Sequence, residues 1–375
     1  MITLSVNGAP YTSFKDITVE KSISDLTGEF SFTAVRSAGI PFPFKAGDQV
    51  DIRVNSYLII SGYIDIIQVS YDSMSHDIVM RGRDITEDIV DSTIGGDFDF
   101  STPILLEDVI KQTLKKVGIT NINVDSRVPN LPPFNFNIVT EKTGTSIFEF
   151  IENYARQQGV LITTDNVGTL ILTRAGDSQV ESTLINQING TVNNIISGNF
   201  TIDYSKRFNK YTFYAQSNLS SNNDVTSDDS SNIFNFAIDS DIRTTRTFTK
   251  IAENSSTNSE LKTRAQWEAN VRVAKSFVYQ AVVLGDSIIE NGKPWEVNTL
   301  IRVYDDFADI DETLLIDRIT FNVNIDRGTT TTLSLVNKDA YTVLIQTPKT
   351  KNQYANVTWD QTAADNASKV SGKKP

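Results

Sequence analysis

The sequence predicts a mainly β protein with α+β insertions, built around two similar small antiparallel β-barrel domains. Three observations predict it. Strand patterns fill both ends of the 375-residue chain, the period turns helical between them, and the two strand-rich ends repeat one another in order. At this length several units are expected, because domains cluster at roughly 100–150 residues.

Residues 1–100 read as the first barrel. In Gly28–Arg36 the apolar Phe30, Phe32 and Ala34 alternate with polar residues, the period of a half-buried strand. Gln49–Val54 alternates likewise. Tyr57–Val69 is rich in aromatic and β-branched residues, with Gly62 marking a bulge or bend. Asp77–Arg81 supplies a further strand. Residues 101–175 read as an α+β module. Ser101-Thr102-Pro103 is expected to cap and open a helix bearing Leu106, Val109, Ile110, Thr113, Leu114 and Val117 at helical spacing, stopped by Gly118. After Pro132-Pro133, Ser146 and Glu149 stand at capping-box spacing before the stripe Phe148, Ile151 and Ala155. Two short strands follow across the Asp165–Gly168 turn.

Residues 176–285 are expected to form another α+β region. It holds a polar loop at 217–232, too poor in apolar residues to join a core, and a helix at 258–277 opened by Thr257 and Glu260. Leu261, Ala265, Ala269, Val273 and Phe277 recur every fourth residue along it. Residues 286–345, together with strands from about 198–215, are expected to complete the second barrel. The stretch 346–375 reads as an extended tail, with Tyr354 and Trp359 as candidate partner contacts.

The repeat has three ordered blocks. Pro43–Ile52 matches Pro294–Val303 without gaps, Tyr63–Ile67 matches Leu315–Ile319, and Ile78–Asp84 matches Leu333–Asp339. Two similar barrels on one chain, assembled as a homotrimer, would present six near-equivalent barrels in a pseudo-sixfold ring. Ring closure would also cover strand edges that otherwise invite aggregation.

Catalytic chemistry finds little to work with. The sequence has no cysteine and one histidine, so thiolate sites, histidine-pair metal sites and a complete triad are excluded. His76, beside Asp77, reads as a solvated turn residue. The densest acidic cluster, Asp305-Asp306 with Asp309, Asp311 and Glu312, reads as a water-facing turn, and Asp228-Asp229 lies in the polar loop. Trp295 corresponds to Phe44 and reads as core, while Trp267 neighbours the helical stripe. No catalytic residue, metal site or cofactor is expected. The 34 basic against 46 acidic residues, net −12, argue against a nucleic-acid grip. No run approaches the roughly 20 apolar residues of an integral membrane segment, and the first residues lack a signal-peptide pattern. Folding in a cytoplasm is expected.

In this order the motifs resemble the Mu-like contractile-tail baseplate hub family. The resemblance rests on Val19–Phe32, Gly47–Ile52, Gly62–Asp65, Gly82–Asp84, Asp88–Ser92, Ala155–Leu161, Gly168–Thr173, Pro294–Asn298 and Leu314–Ile316, and covers about residues 3–345. It implies a non-enzymatic, homotrimeric structural hub of the virion, assembled in the host cytoplasm. The hub would join the tail tube to the central spike, contact other baseplate proteins, and let DNA or an effector pass. A carbohydrate-binding tail adhesin using the tryptophans, and a tail-associated cell-wall hydrolase, are the competing readings.

Overall fold

In the computed structural model, residues 2–35, 44–73, 76–96, 100–134, 144–176, 178–216, 232–251, 258–288, 291–324 and 328–341 are described. In chain order the first strands are β1 (Ile2–Val6), β2 (Ala9–Tyr11), β3 (Phe14–Ser22), β4 (Glu29–Ala34), β5 (Gln49–Val54), β6 (Tyr57–Tyr71) and β7 (His76–Asp84). The module that follows holds α1 (Glu87–Asp91), α2 (Leu106–Lys116), β8 (Val124–Ser126), α3 (Ile147–Gln157), β9 (Leu161–Thr164) and β10 (Leu170–Thr173). Then come β11 (Ser178–Asn186), β12 (Ile195–Ile202), β13 (Lys210–Gln216), β14 (Asn232–Ile238), β15 (Thr247–Ile251) and α4 (Asn258–Lys275). The last strands are β16 (Phe277–Leu284), β17 (Thr299–Asp305), β18 (Ile310–Asn324) and β19 (Gly328–Val336).

Among the described residues, thirteen strands form one continuous sheet. Its first half runs β3-β4-β7-β6-β5-β1-β2 and its second β12-β16-β19-β18-β17-β11, so the two halves carry the same strand order from β3 and from β12. The equivalence extends to detail. β6 and β18 are each 15 residues long, and β7 and β19 are each 9. Each long strand breaks register at one aspartate, Asp65 in β6 and Asp317 in β18. Ahead of them, Gly47 and Asn298 both hold positive φ, and their amides donate to the carbonyls of Ile64 at 2.8 Å and Ile316 at 2.9 Å. The bulge belongs to Asp65, and Gly62 serves another purpose. A side chain there would meet the Arg83 carbonyl oxygen at 1.8 Å, so only glycine permits β7 to approach.

The pairings align Tyr63 with Leu315 and Gln49 with Leu300, as the first two sequence blocks require. The third block needs correction. Gly82 pairs with Ile64 as Leu335 pairs with Ile316, so Ile78 corresponds to Thr331 and not to Leu333. A shift of two residues preserves which face each side chain takes, and alternation alone cannot detect it. The halves also differ. β1 lies antiparallel to β5, whereas β11 lies parallel to β17, and among the described residues β2 has no counterpart beyond β11. Among the described residues no pairing joins β2 back to β3.

One core is shared by both halves, from Ile17, Phe32 and Ile52 to Ile301, Phe321 and Leu333. A second core unites α1–α3 with β8–β10 and reaches back to Ile85, Ile89 and Ile94. In α2 the expected stripe is buried except Val117, which is half-buried at the C-cap, and the helix opens at Leu106, later than Pro103. Residues there are first spent on a two-way bridge, Ile104 exchanging backbone hydrogen bonds with Phe134 at 3.1 and 2.8 Å. In α3 the Glu149 amide donates to Ser146 Oγ at 3.1 Å, and Ile151 and Ala155 are fully buried.

β13 pairs with β14 and β15 in a separate three-stranded sheet covered by α4. Lys210–Ala215 therefore lies outside the large sheet, contrary to its assignment to the second barrel; β12 alone of those strands joins it. α4 buries Leu261, Ala265 and Ala269, but Val273 is exposed and Phe277 already belongs to β16. A spacing of four residues overshoots the 3.6-residue turn by about 40° each step, so the stripe rotates off the small sheet before Val273, while Ala274 is buried on another face of the helix with Ile23, Leu315 and Val336. Thr257, the loop at 217–231 with Asp228-Asp229, Pro43 and the tail with Tyr354 and Trp359 lie outside the described residues; of Glu260 only the backbone is described.

Gly62→Ala should lose about 2–3 kcal/mol of stability by forcing β6 and β7 apart. Gly95→Ala, with open space around it, should be nearly neutral. Paired urea unfolding curves read the difference.

Candidate functional site

The surfaces that qualify as a functional site are those where units meet, and β3 lies at their centre. One edge pairs with β4 and the other with β18, from Asp16 opposite Asn324 to Ser22 opposite Arg318. Both strands put small β-branched and aromatic residues inward: Val19 and Phe321, directly opposed, are 0% and 1% exposed. Outward, Thr18 Oγ1 donates to Asn322 Oδ1 at 3.4 Å. At the end of the seam the Arg318 guanidinium pairs with Glu20 and reaches Asp25 at 3.2 Å. Alongside it, Asp317 is pushed up by burial, while Tyr341 Oη donates to its carboxylate.

β3 also holds the module. Lys21 is half-buried, and desolvation lowers its ammonium against the pull of Asp84, Asp165 and Glu296. Its Nζ donates to Asn166 Oδ1 at 2.7 Å and to the Asp165 carbonyl at 3.3 Å. That turn is fixed in place by Asp165 Oδ1, which accepts from the Val167 and Thr169 amides at 2.9 and 2.7 Å. On the module's other side, Asn298 donates to the Arg174 carbonyl and accepts from the Gly176 amide, both at 2.9 Å.

The residues singled out for chemistry fall elsewhere. His76 is an exposed strand residue stacked on Tyr71 at 6.1 Å. Trp295 is core, and Trp267 is half-buried on α4. The acidic cluster is not all water-facing. Asp305 is buried, and burial raises its carboxyl; four donors, Tyr279 Oη and the groups of Ala308, Asn186 and Phe307, outweigh that and hold it below the usual carboxylate range. Such an arrangement anchors a turn. Asp311 is exposed and ion-pairs with Arg302 at 2.5 Å. Among the described residues no group of His, Asp or Glu is placed to hold a metal ion, and no helix is long and apolar enough to cross a membrane.

Two charge clusters escaped the sequence reading. Arg207 is buried, bidentate to Asp239 at 2.9 Å and bonded to Asp241 at 3.0 Å. Arg83 gathers three carboxylates, Asp65 at 2.9 Å, Asp91 at 2.7 Å and Glu87 at 3.3 Å. Burial, then the neighbouring Asp65, pushes Glu87 up to about 7. Arg207 reaches partners 32 and 34 positions away, which no local spacing announces, whereas Arg83 and Glu87 stand four residues apart and Asp65 comes from the neighbouring strand.

Three family models match in succession: Mu phage baseplate assembly protein GpP-like, N-terminal, over residues 1–84; baseplate hub protein gp44-like, second domain, over 86–174; and Mu phage baseplate assembly protein GpP, fourth domain, over 257–343. The chain is 25% identical over 360 residues to baseplate hub protein gp44 of Escherichia phage Mu, covering 93% of this chain and 90% of that one. Its fold is similar to the 43 kDa tail protein of prophage MuSo2 from Shewanella oneidensis, with TM-score 0.76, 28% identity and coverage of 91% and 99%. It is also similar to a tail protein from Neisseria meningitidis MC58, with TM-score 0.75, 18% identity and coverage of 91% and 97%.

Two outcomes are expected. Arg207→Met should cost about 3–5 kcal/mol by stranding the buried Asp239, read by denaturant unfolding. For Glu87, the folded state keeps a proton that the unfolded chain releases near 4.5, so its contribution to stability is full at low pH and is lost as pH rises to about 7. Glu87→Gln should remove that part of the slope, about 1–2 kcal/mol after solvent screening, in unfolding curves at pH 5 and pH 8.

Proposed function

We propose, on the premise that this chain is a Mu-like baseplate hub protein with a structural role in the virion tail, that three copies form a pseudo-sixfold ring. In it the ring joins the tail tube on one face to the central spike on the other and leaves a passage for DNA or an effector. The observation that carries this reading is the doubled strand order within one continuous sheet. Six near-equivalent units from three chains would match a sixfold tube, while three copies of everything else match a threefold spike.

In this reading each half of the large sheet closes as a barrel in the assembled ring. Residues 1–100 and 286–345 with β12 make the two tube-like units, residues 101–175 and the region around β13–β15 face other baseplate proteins, and the tail at 346–375 docks through Tyr354 and Trp359. The role is scaffolding, without catalysis or cofactor, and assembly takes place in the host cytoplasm. The net charge of −12 favours passage of DNA, since a lumen without a basic belt does not retain phosphate.

Light scattering of the purified protein, alone and with the spike protein, tests the reading. A mass of three chains, or trimerisation triggered by the spike, followed by a sixfold-like ring in electron micrographs, is expected. A monomer that persists with spike and tube protein present overturns it.

A further inference from the structure

The seam between β3 and β18 occurs once in the chain, yet each half of the sheet contains both of its edges. In the first half, the counterpart of the β18 seam segment is the end of β6, Ile66–Tyr71, whose side away from β7 is unpaired among the described residues. In the second half, the counterpart of β3 is β12, which pairs on one side with β16 and ends the sheet on the other. We infer that the end of β6 pairs antiparallel with β12 of a second copy, repeating the β3–β18 seam between chains. This rests on the ring proposed above and names the strands that close it.

The strand equivalences fix the register. Val69 stands where Phe321 stands, because Asp65 and Asp317 mark the same bulge. Phe200 stands where Val19 stands, because each lies opposite the residue that faces Gly82 or Leu335, namely Phe30 and Tyr279. Since Phe321 pairs with Val19, Val69 pairs with Phe200, Ser70 with Asn199, and Tyr71 with Gly198.

The surface agrees with this assignment. Val69 and Tyr71 lie on the inward-facing side of the sheet, as Phe321 and Val323 do, yet they are 62% and 77% exposed, and Ile202 on β12 is 57% exposed. A face that is sealed within the chain lies open where the sheet stops. Tyr71 also faces a groove. Beside β12, where the second half lacks a β2, a groove of about 520 Å³ is lined by Ile195, Gly198, Phe200, Tyr279 and Phe307. A large ring set opposite a glycine can enter such a space. The partner edge is not a generic strand, because long exposed apolar edges that pair indiscriminately would aggregate.

The sequence has no cysteine, so an introduced pair reports unambiguously. The full chain carrying Ser70→Cys and Asn199→Cys is oxidised in whichever state, alone or with the spike, gives a three-chain mass. Facing side chains on neighbouring strands lie within disulfide reach, and covalently closed trimers are expected on non-reducing gels. Mixed single variants should stop at dimers, and the slipped pair Ser70→Cys with Thr201→Cys should give none. Val69→Asp, on an exposed side chain, should leave thermal unfolding unchanged and weaken trimerisation at least tenfold. Trimers that form without this cross-link, or that tolerate Val69→Asp, overturn the pairing and leave the ring standing. A chain that stays monomeric under every condition overturns both.

Discussion

The structure depends on the antiparallel pairing of β3 with β18. Seven successive residue pairs from Asp16–Asn324 to Ser22–Arg318 turn two sheets into one and let the two halves share a core. Backbone pairing of this kind is insensitive to side-chain identity, so the specificity is added at its margins. Val19 against Phe321 excludes water along one face, and the pairing of Arg318 with Glu20 and Asp25 marks where the seam ends. An ion pair that is partly exposed contributes at most about 1 kcal/mol. Its value lies in register, since a one-residue slip would bury the charges and expose Val19.

From β3 the same logic spreads outward. Lys21 leaves the seam to grip the Asp165–Asn166 turn, and Asn298 ties down the module's other connection at Arg174 and Gly176. Both contacts use polar side chains to satisfy backbone groups at partly buried turns. The inserted module is thus held at two ends to the two halves of the sheet, one through β3 and the other through the residues preceding β17. A displacement of either half would be felt by the module.

Much of this was legible in the sequence because it is written in alternation. The strands of β4, β5 and β7, the stripes of α2 and α3, the Ser146 cap and the correspondence of Trp295 with Phe44 all follow from local period and spacing. What escaped did so for physical reasons. A two-residue slip at β19 is invisible to a period of two. The stripe on α4 was extended too far because four is not 3.6. The parallel docking of β11 on β17, the placement of β13 in its own sheet, and the Arg207–Asp239 and Asp305–Tyr279 contacts join segments well separated in sequence, and no local rule specifies them. Asp305 shows the cost of reading acidic clusters by composition alone: one carboxylate in it is a buried turn anchor and its neighbours are solvated.

The seam has a consequence for biosynthesis. Arg318 and Glu20 are separated by 298 positions along the chain. β3 therefore leaves the ribosome well ahead of β18. At translation rates of about 5–20 residues per second, the early strand waits some tens of seconds for its partner. Throughout that interval its outer edge is open to any extended chain nearby. The strand carries Lys15, Asp16, Glu20 and Lys21 among its nine residues, and charges on an open edge discourage pairing with a stranger. The residues that terminate the seam in the finished protein therefore also guard it while the chain is being made.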